Sequence, residues 1–170
     1  LVAHYRMLGH YNAWANSRLY DADAGLDEAQ YKADRGAFFK SVHGTLNHLL
    51  GTDRIWMKRF TGEGEAPKTL DATLFKDFAK LRSAREAEDA RIVTWIGTLK
   101  EKDLAGRFTY TTVTDMRRIS QRLAPALAHL FNHQTHHRGQ CHMILTALGK
   151  PSVALDLVLF QRTDSGRQFA

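Results

Sequence analysis

Five of the nine histidines in this 170-residue chain fall in one run, HLFNHQTHHRGQCH, from His129 to His142. Imidazole binds divalent metals and moves protons near neutral pH, so the spacing of the run decides what it is suited to. His129/His133 and His133/His137 are each four residues apart and share a member. Chance supplies only about half of one such pair in a chain with this histidine content, so the overlap needs a physical account. On a helix, residues i and i+4 project from one face a turn apart, which lets two rings reach one metal ion. At about 100° per residue, Leu123, Leu127, Leu130, Cys141, Leu145 and Leu148 share one stripe. His137 lies inside that stripe and His133 about 40° off it, whereas His129, His136 and His142 turn away. His133 and His137 are therefore the inward pair.

Two imidazoles make a poor site without a ligand from another element. The stretch SVHGTLNHLLGTDRIW (residues 41–56) offers His43 and His48. On its wheel Phe38, Val42, Leu46, Leu49, Trp56 and Phe60 form the apolar stripe, with the two histidines off opposite margins. Periodicity leaves open which of them turns toward His133. Asp53 falls inside the stripe, unusual for an acid without a partner. It is the candidate to orient a ligand or handle a proton, with a structural ion pair as the alternative and Asp156 as a second choice. Cys141 reads as a small buried side chain. Arg138 and Gln140 are placed to hydrogen-bond near the site or simply to lie on a helix surface, and Gly139 leaves room for another helix to approach.

The elements that must carry these residues are helical. Three- and four-residue apolar steps predict helices over about residues 2–23, 37–60, 71–99 and 122–148. Gly25 stops the first, TGEGEAP closes the second, Asp71 is a suitable N-cap for the third, and Pro125 sits in the first turn of the fourth. RFTYTTVTDMRRIS (107–120) is rich in strand formers and predicts a β-hairpin or extended crossover. LDLVLFQR in the tail suits a short helix or a packed extended strand. The expectation is an all-α single domain over residues 1–170. It would be a four-helix bundle whose long crossover, between helices three and four, holds a short hairpin or extended segment.

Composition narrows the function. A net charge of +6 invites a nucleic-acid reading. Basic residues are however interleaved with acids, as in KLRSAREAEDAR (80–91), which reads as a solvated face. The tightest basic cluster, Arg117, Arg118 and Arg122, has no aromatic interleaving, so nucleic acid is not the expected partner. No stretch reaches the length of a membrane span, and nothing reads as a signal peptide. A lone cysteine suits a reducing compartment, and the expected location is the cytoplasm.

With these residues in view, YNAWANSRLY, TLNHLLGTDRIWMKRFTG and HLFNHQTHHRGQCHMILTALGKP resemble, in order and spacing, the DinB family of small metal-binding four-helix bundles. The resemblance implies one ligand from the second helix and two from the fourth, which are His48, His133 and His137 here, and so decides for His48 over His43. It also implies a homodimer, for which Trp14 and Trp56 would be edge aromatics. Three imidazoles suit Zn, Ni or Fe foremost, and Cu also, and leave positions open for water. Such a site permits hydrolysis, or delivery of a low-molecular-weight thiol to an electrophile. The expected function is a metal-dependent hydrolase or thiol S-transferase. The alternative is a non-catalytic metal-dependent binding or stress-response module. An enzyme would hold its metal beneath an open pocket lined partly by Trp14, Asn16 and Asp53.

Overall fold

A computed structural model describes residues 1–170. Four long helices dominate: α1 (Val2–Asp23), α3 (Val42–Thr61), α4 (Phe78–Thr98) and α6 (Leu123–Ala147). Three short helices join them: α2 (Glu28–Lys32), α5 (Glu101–Ala105) and α7 (Leu157–Gln161). α1 packs on α4 and α6, and α3 packs on the same two, so the long helices close a ring. Strands β1 (Arg107–Thr111) and β2 (Arg118–Arg122) form an antiparallel hairpin between α5 and α6. The fold is thus mostly helical with a small sheet, and the tail takes the helical one of its two alternatives.

Local chemistry fixes the ends. The Ser41 hydroxyl accepts the Gly44 N–H at the start of α3, and Gly62 closes it in the left-handed conformation at φ 78°. That conformation favours glycine because it has no Cβ to clash. α4 begins later than its apolar pattern suggests. Asp77, not Asp71, caps it by accepting from Lys80 N at 2.8 Å. Residues 71–77 form a loop whose Leu74 and Phe75 still pack on the core, which is why they mimic a helical stripe. Phe38 is also no core residue: α3 starts at Val42, and the ring is 80 % exposed.

Burial comes in layers. One apolar cluster joins Tyr5, Trp56, Met57, Ile92, Ile96 and Leu127. Phe108 and Tyr110 of the hairpin pack against it. A second joins Leu19, Tyr20, Tyr31, Leu46, Leu50, Leu81 and Cys141. Asn12, Asn16, Asp53, Arg85, Asp89, Gln134 and Arg138 are also buried, and they form a polar network across the helices. The Arg85, Glu88 and Asp89 of KLRSAREAEDAR are therefore interior residues, contrary to the solvated reading. Trp56 is equally interior and is no free edge aromatic, whereas Trp14 is half-buried and packs one side on Tyr11 and Phe160.

Candidate metal centre

α3 and α6 run side by side, and their facing margins bring His48, His133 and His137 together. One ring nitrogen from each lies within 4.8 Å of the others. His48 Nε2 and His133 Nε2 are 3.1 Å apart. Two nitrogens on one tetrahedral zinc ion would be separated by roughly 3.4 Å, so the spacing is close to that of a shared metal. No Asp, Glu or Cys joins the three, which leaves the set short of a closed structural shell. His48 and His137 are buried and His133 is half-buried, so the cluster reaches the surface on the His133 side.

Neighbouring groups fix which nitrogen each ring presents. His48 Nδ1 lies 2.7 Å from the Leu70 carbonyl oxygen, an acceptor only, so Nδ1 carries the proton and donates. His137 Nδ1 is 3.0 Å from Gln140 Oε1, and the same logic applies. Both rings therefore hold an unprotonated Nε2, and orientation of this kind supports metal ligation. Burial pushes the His48 imidazole down to about 4 and His133 down to about 3; repulsion from the surrounding imidazoles, wherever they take up a proton, adds to the effect on His133. Burial lowers His137 too, against the opposing bond to Gln140. All three are neutral at pH 7, the form that binds metal.

Phe39 stacks on His48 at 3.7 Å between ring centroids and meets His137 edge-on at 5.5 Å. It comes from the turn before α3, where Lys40 has φ 69°. A non-glycine residue there is strained, and the strain is held by the pairing of Ala37 with Lys40. Asn47 is the other support. Its side chain donates to the Phe75 carbonyl at 3.1 Å and accepts from Phe75 N at 2.9 Å. That clamp pins to α3 the loop that brings Leu70 to His48. Neither Phe39 nor Asn47 was evident from sequence. Asn47 stands directly before His48 in LNHLL, but its partner lies 28 residues away.

The other candidates go elsewhere. His43 Nε2 donates to the Phe75 carbonyl at 3.0 Å and its ring meets Tyr31, so it is outside the cluster. His129 packs on Trp56, His136 edges His137, and His142 bonds Ser152 at 3.3 Å. Gln140 is the neighbour its position suggested; Arg138 instead donates to Asn12, Asn16 and Thr135. A Cβ at Gly139 would meet nothing within 4 Å, so no helix approaches there.

Asp53 is fully enclosed, with Oδ2 2.8 Å from Arg85 Nη1. The two charges are in contact, although the Arg85 N–H is not aimed along a hydrogen bond. Burial raises the Asp53 carboxyl to about 6 against the pull of Arg85. Arg85 also pairs with Asp89 at 2.9 Å, and Asn16 donates to Asp89 at 3.0 Å. Asn16 and Asp53 thus belong to the network and Trp14 to the α7 side of α1, whereas Phe39, Leu70 and Gln140 surround the histidines.

No helix is long and apolar enough to cross a membrane. Comparison with known proteins adds two findings. The chain is 24 % identical over 156 residues to "Protein DinB" of Bacillus subtilis (strain 168), covering 90 % of this chain and 91 % of that one. The sequence model of the DinB family matches residues 3–168, nearly the whole chain, and on that match the protein belongs to the DinB family.

Proposed function

We propose that His48, His133 and His137 hold one divalent metal ion, and that the protein is a metal-dependent enzyme, a hydrolase or a low-molecular-weight thiol S-transferase. The observation that carries the reading is the convergence of one ring nitrogen from each of the three histidines, with Nδ1 of His48 and of His137 engaged by Leu70 and Gln140. A divalent ion with three neutral imidazole ligands keeps open positions and acts there as a Lewis acid toward water or a thiol. The chain's own groups do the rest. Leu70 and Gln140 hold the rings in orientation, and Phe39 covers one face of His48. Half-buried His133 marks the side from which a substrate enters.

Phe39 against His48 and His137, with exposed Phe38 next to it, puts apolar surface beside the cluster among the polar Lys40, Asn47, Asp71 and Thr73. In this reading that surface receives the organic electrophile to which a thiol is transferred. Asp53 lies in a closed ion pair, and in this reading its role is structural, leaving water or the co-substrate to manage protons. The family's dimeric habit makes a homodimer the proposed assembly. A binding or stress-response module without turnover is the competing reading. The two are separated by assaying metal-loaded protein with a small thiol against a panel of alkyl and aryl electrophiles, alongside an ester panel. Metal-dependent turnover lost in His133→Ala supports the enzyme. Full metal occupancy with no turnover on either panel supports the module.

A further inference from the structure

Asp23 ends α1 with its side chain 1 % exposed, and neither carboxylate oxygen has a hydrogen-bond partner. The position is doubly unfavourable for an acid, because the C-terminal end of a helix is itself negative. The hydroxyls of Tyr20 and Tyr31 are also buried without partners. Four orphaned polar atoms in one layer are unusual, since buried polar groups in proteins are nearly always satisfied by protein, water, ion or ligand. Asp23, Tyr31 and Phe78 line a pocket of about 310 Å3. Its remaining charged residues cancel: Lys32, which is held by Glu28 at 2.6 Å, and Lys76 stand against Glu28 and Asp77. The carboxylate is left without a counter-charge.

We propose that this pocket takes the ammonium end of a small organic amine, with Asp23 as counter-ion and the Tyr31 and Phe78 rings as its walls. The Tyr31 and Phe78 rings meet edge-to-face at 5.3 Å, and Tyr20 lies 5.7 Å from Phe78. An ammonium group donates to the carboxylate and is attracted to ring faces, so one ligand group answers both features. A divalent metal does not fit, since hard cations need several anionic or carbonyl oxygens and only one carboxylate is enclosed here. The volume suits a ligand of modest size. Burial pushes the Asp23 carboxyl up to about 8, so binding of an ammonium group near neutral pH draws it into the carboxylate form with release of one proton. The site does not depend on the metal reading: His43, which touches Tyr31, is not one of the three clustered histidines.

The test is calorimetric titration of the full-length protein with n-butylammonium chloride, with 1-butanol and butyrate as controls. Saturable binding of one ammonium per chain is expected, with the controls at least tenfold weaker. Asp23→Asn should weaken binding at least tenfold and His133→Ala should leave it unchanged. Nuclear Overhauser contacts from the butyl chain to the Tyr31 and Phe78 rings, observed on the wild-type chain, keep the test valid if Asp23→Asn does not fold. Absence of saturable binding, equal binding by Asp23→Asn, loss in His133→Ala, or absence of those ring contacts would each overturn the proposal.

Discussion

His48 and Asp53 stand five residues apart on α3, and each belongs to a polar cluster inside the same ring of helices. The clusters are completed in opposite ways. Around Asp53 the protein supplies both signs of charge: Arg85 lies between Asp53 and Asp89, and the amides of Asn12 and Asn16 link Asp89 to Arg138. Around His48 the protein supplies acceptors for Nδ1 only, and the Nε2 side of the cluster has no protein cation. Burial acts on both, raising Asp53 and lowering the imidazoles. In the first cluster the charges stay paired within the fold; in the second, burial produces neutral rings ready for a ligand from outside. A buried polar cluster therefore signals a ligand site where the lone pairs it presents have no cation of the protein's own beside them.

The largest effect that tests this contrast is on stability. Arg85→Ala leaves Asp53 and Asp89 enclosed without a counter-charge and should cost about 3–5 kcal/mol in urea unfolding, as is usual for one partner of a buried pair. His133→Ala, measured metal-free, should cost far less. Comparable losses from the two would erase the distinction between a closed and an open cluster.

The supports of the open cluster should come next. Removing an orienting partner of a ligand histidine weakens metal binding by about 10–100-fold. Gln140→Ala acts on His137 directly, and Asn47→Ala acts by loosening the loop that carries Leu70. Competition against a chromophoric chelator measures both. Full retention of affinity would show that the rings are held by packing alone.

A pH dependence, modest at each step, belongs to the Asp23 layer. Its folded carboxyl, at about 8, lies above the ordinary 3.8, so the folded state binds more protons between those values. Stability should therefore fall as pH rises from about 4 to about 8, with a slope of at most ~1.4 kcal/mol per pH unit. Burial also raises Tyr31 and Cys141, and the Asp23 charge pushes both further the same way, so both stay neutral across this window. Asp23→Asn should flatten the profile; an unchanged slope would place its origin elsewhere.

How far the sequence reveals this arrangement depends on the range of the interaction. The bounds of α1 and α6 and the facing of His133 and His137 follow from local periodicity, which the fold keeps. The start of α4 does not, because Leu74 and Phe75 pack on the core from a loop and imitate a helical stripe. The burial of Arg85 and Asp89 is equally hidden, since a charged stretch reads as solvated until α1, α3 and α6 supply its partners. His43 and His48 look alike on a wheel. What separates them is the loop: Phe75 receives His43, and Leu70 fixes His48 toward α6.

Metal stoichiometry tests the central claim most directly, measured by elemental analysis and titration on protein purified without a histidine tag. The account predicts one divalent ion per chain, lost in His48→Ala, His133→Ala and His137→Ala and kept in His136→Ala and His142→Ala. No bound metal in the wild-type chain, or equal losses across all five variants, would contradict it.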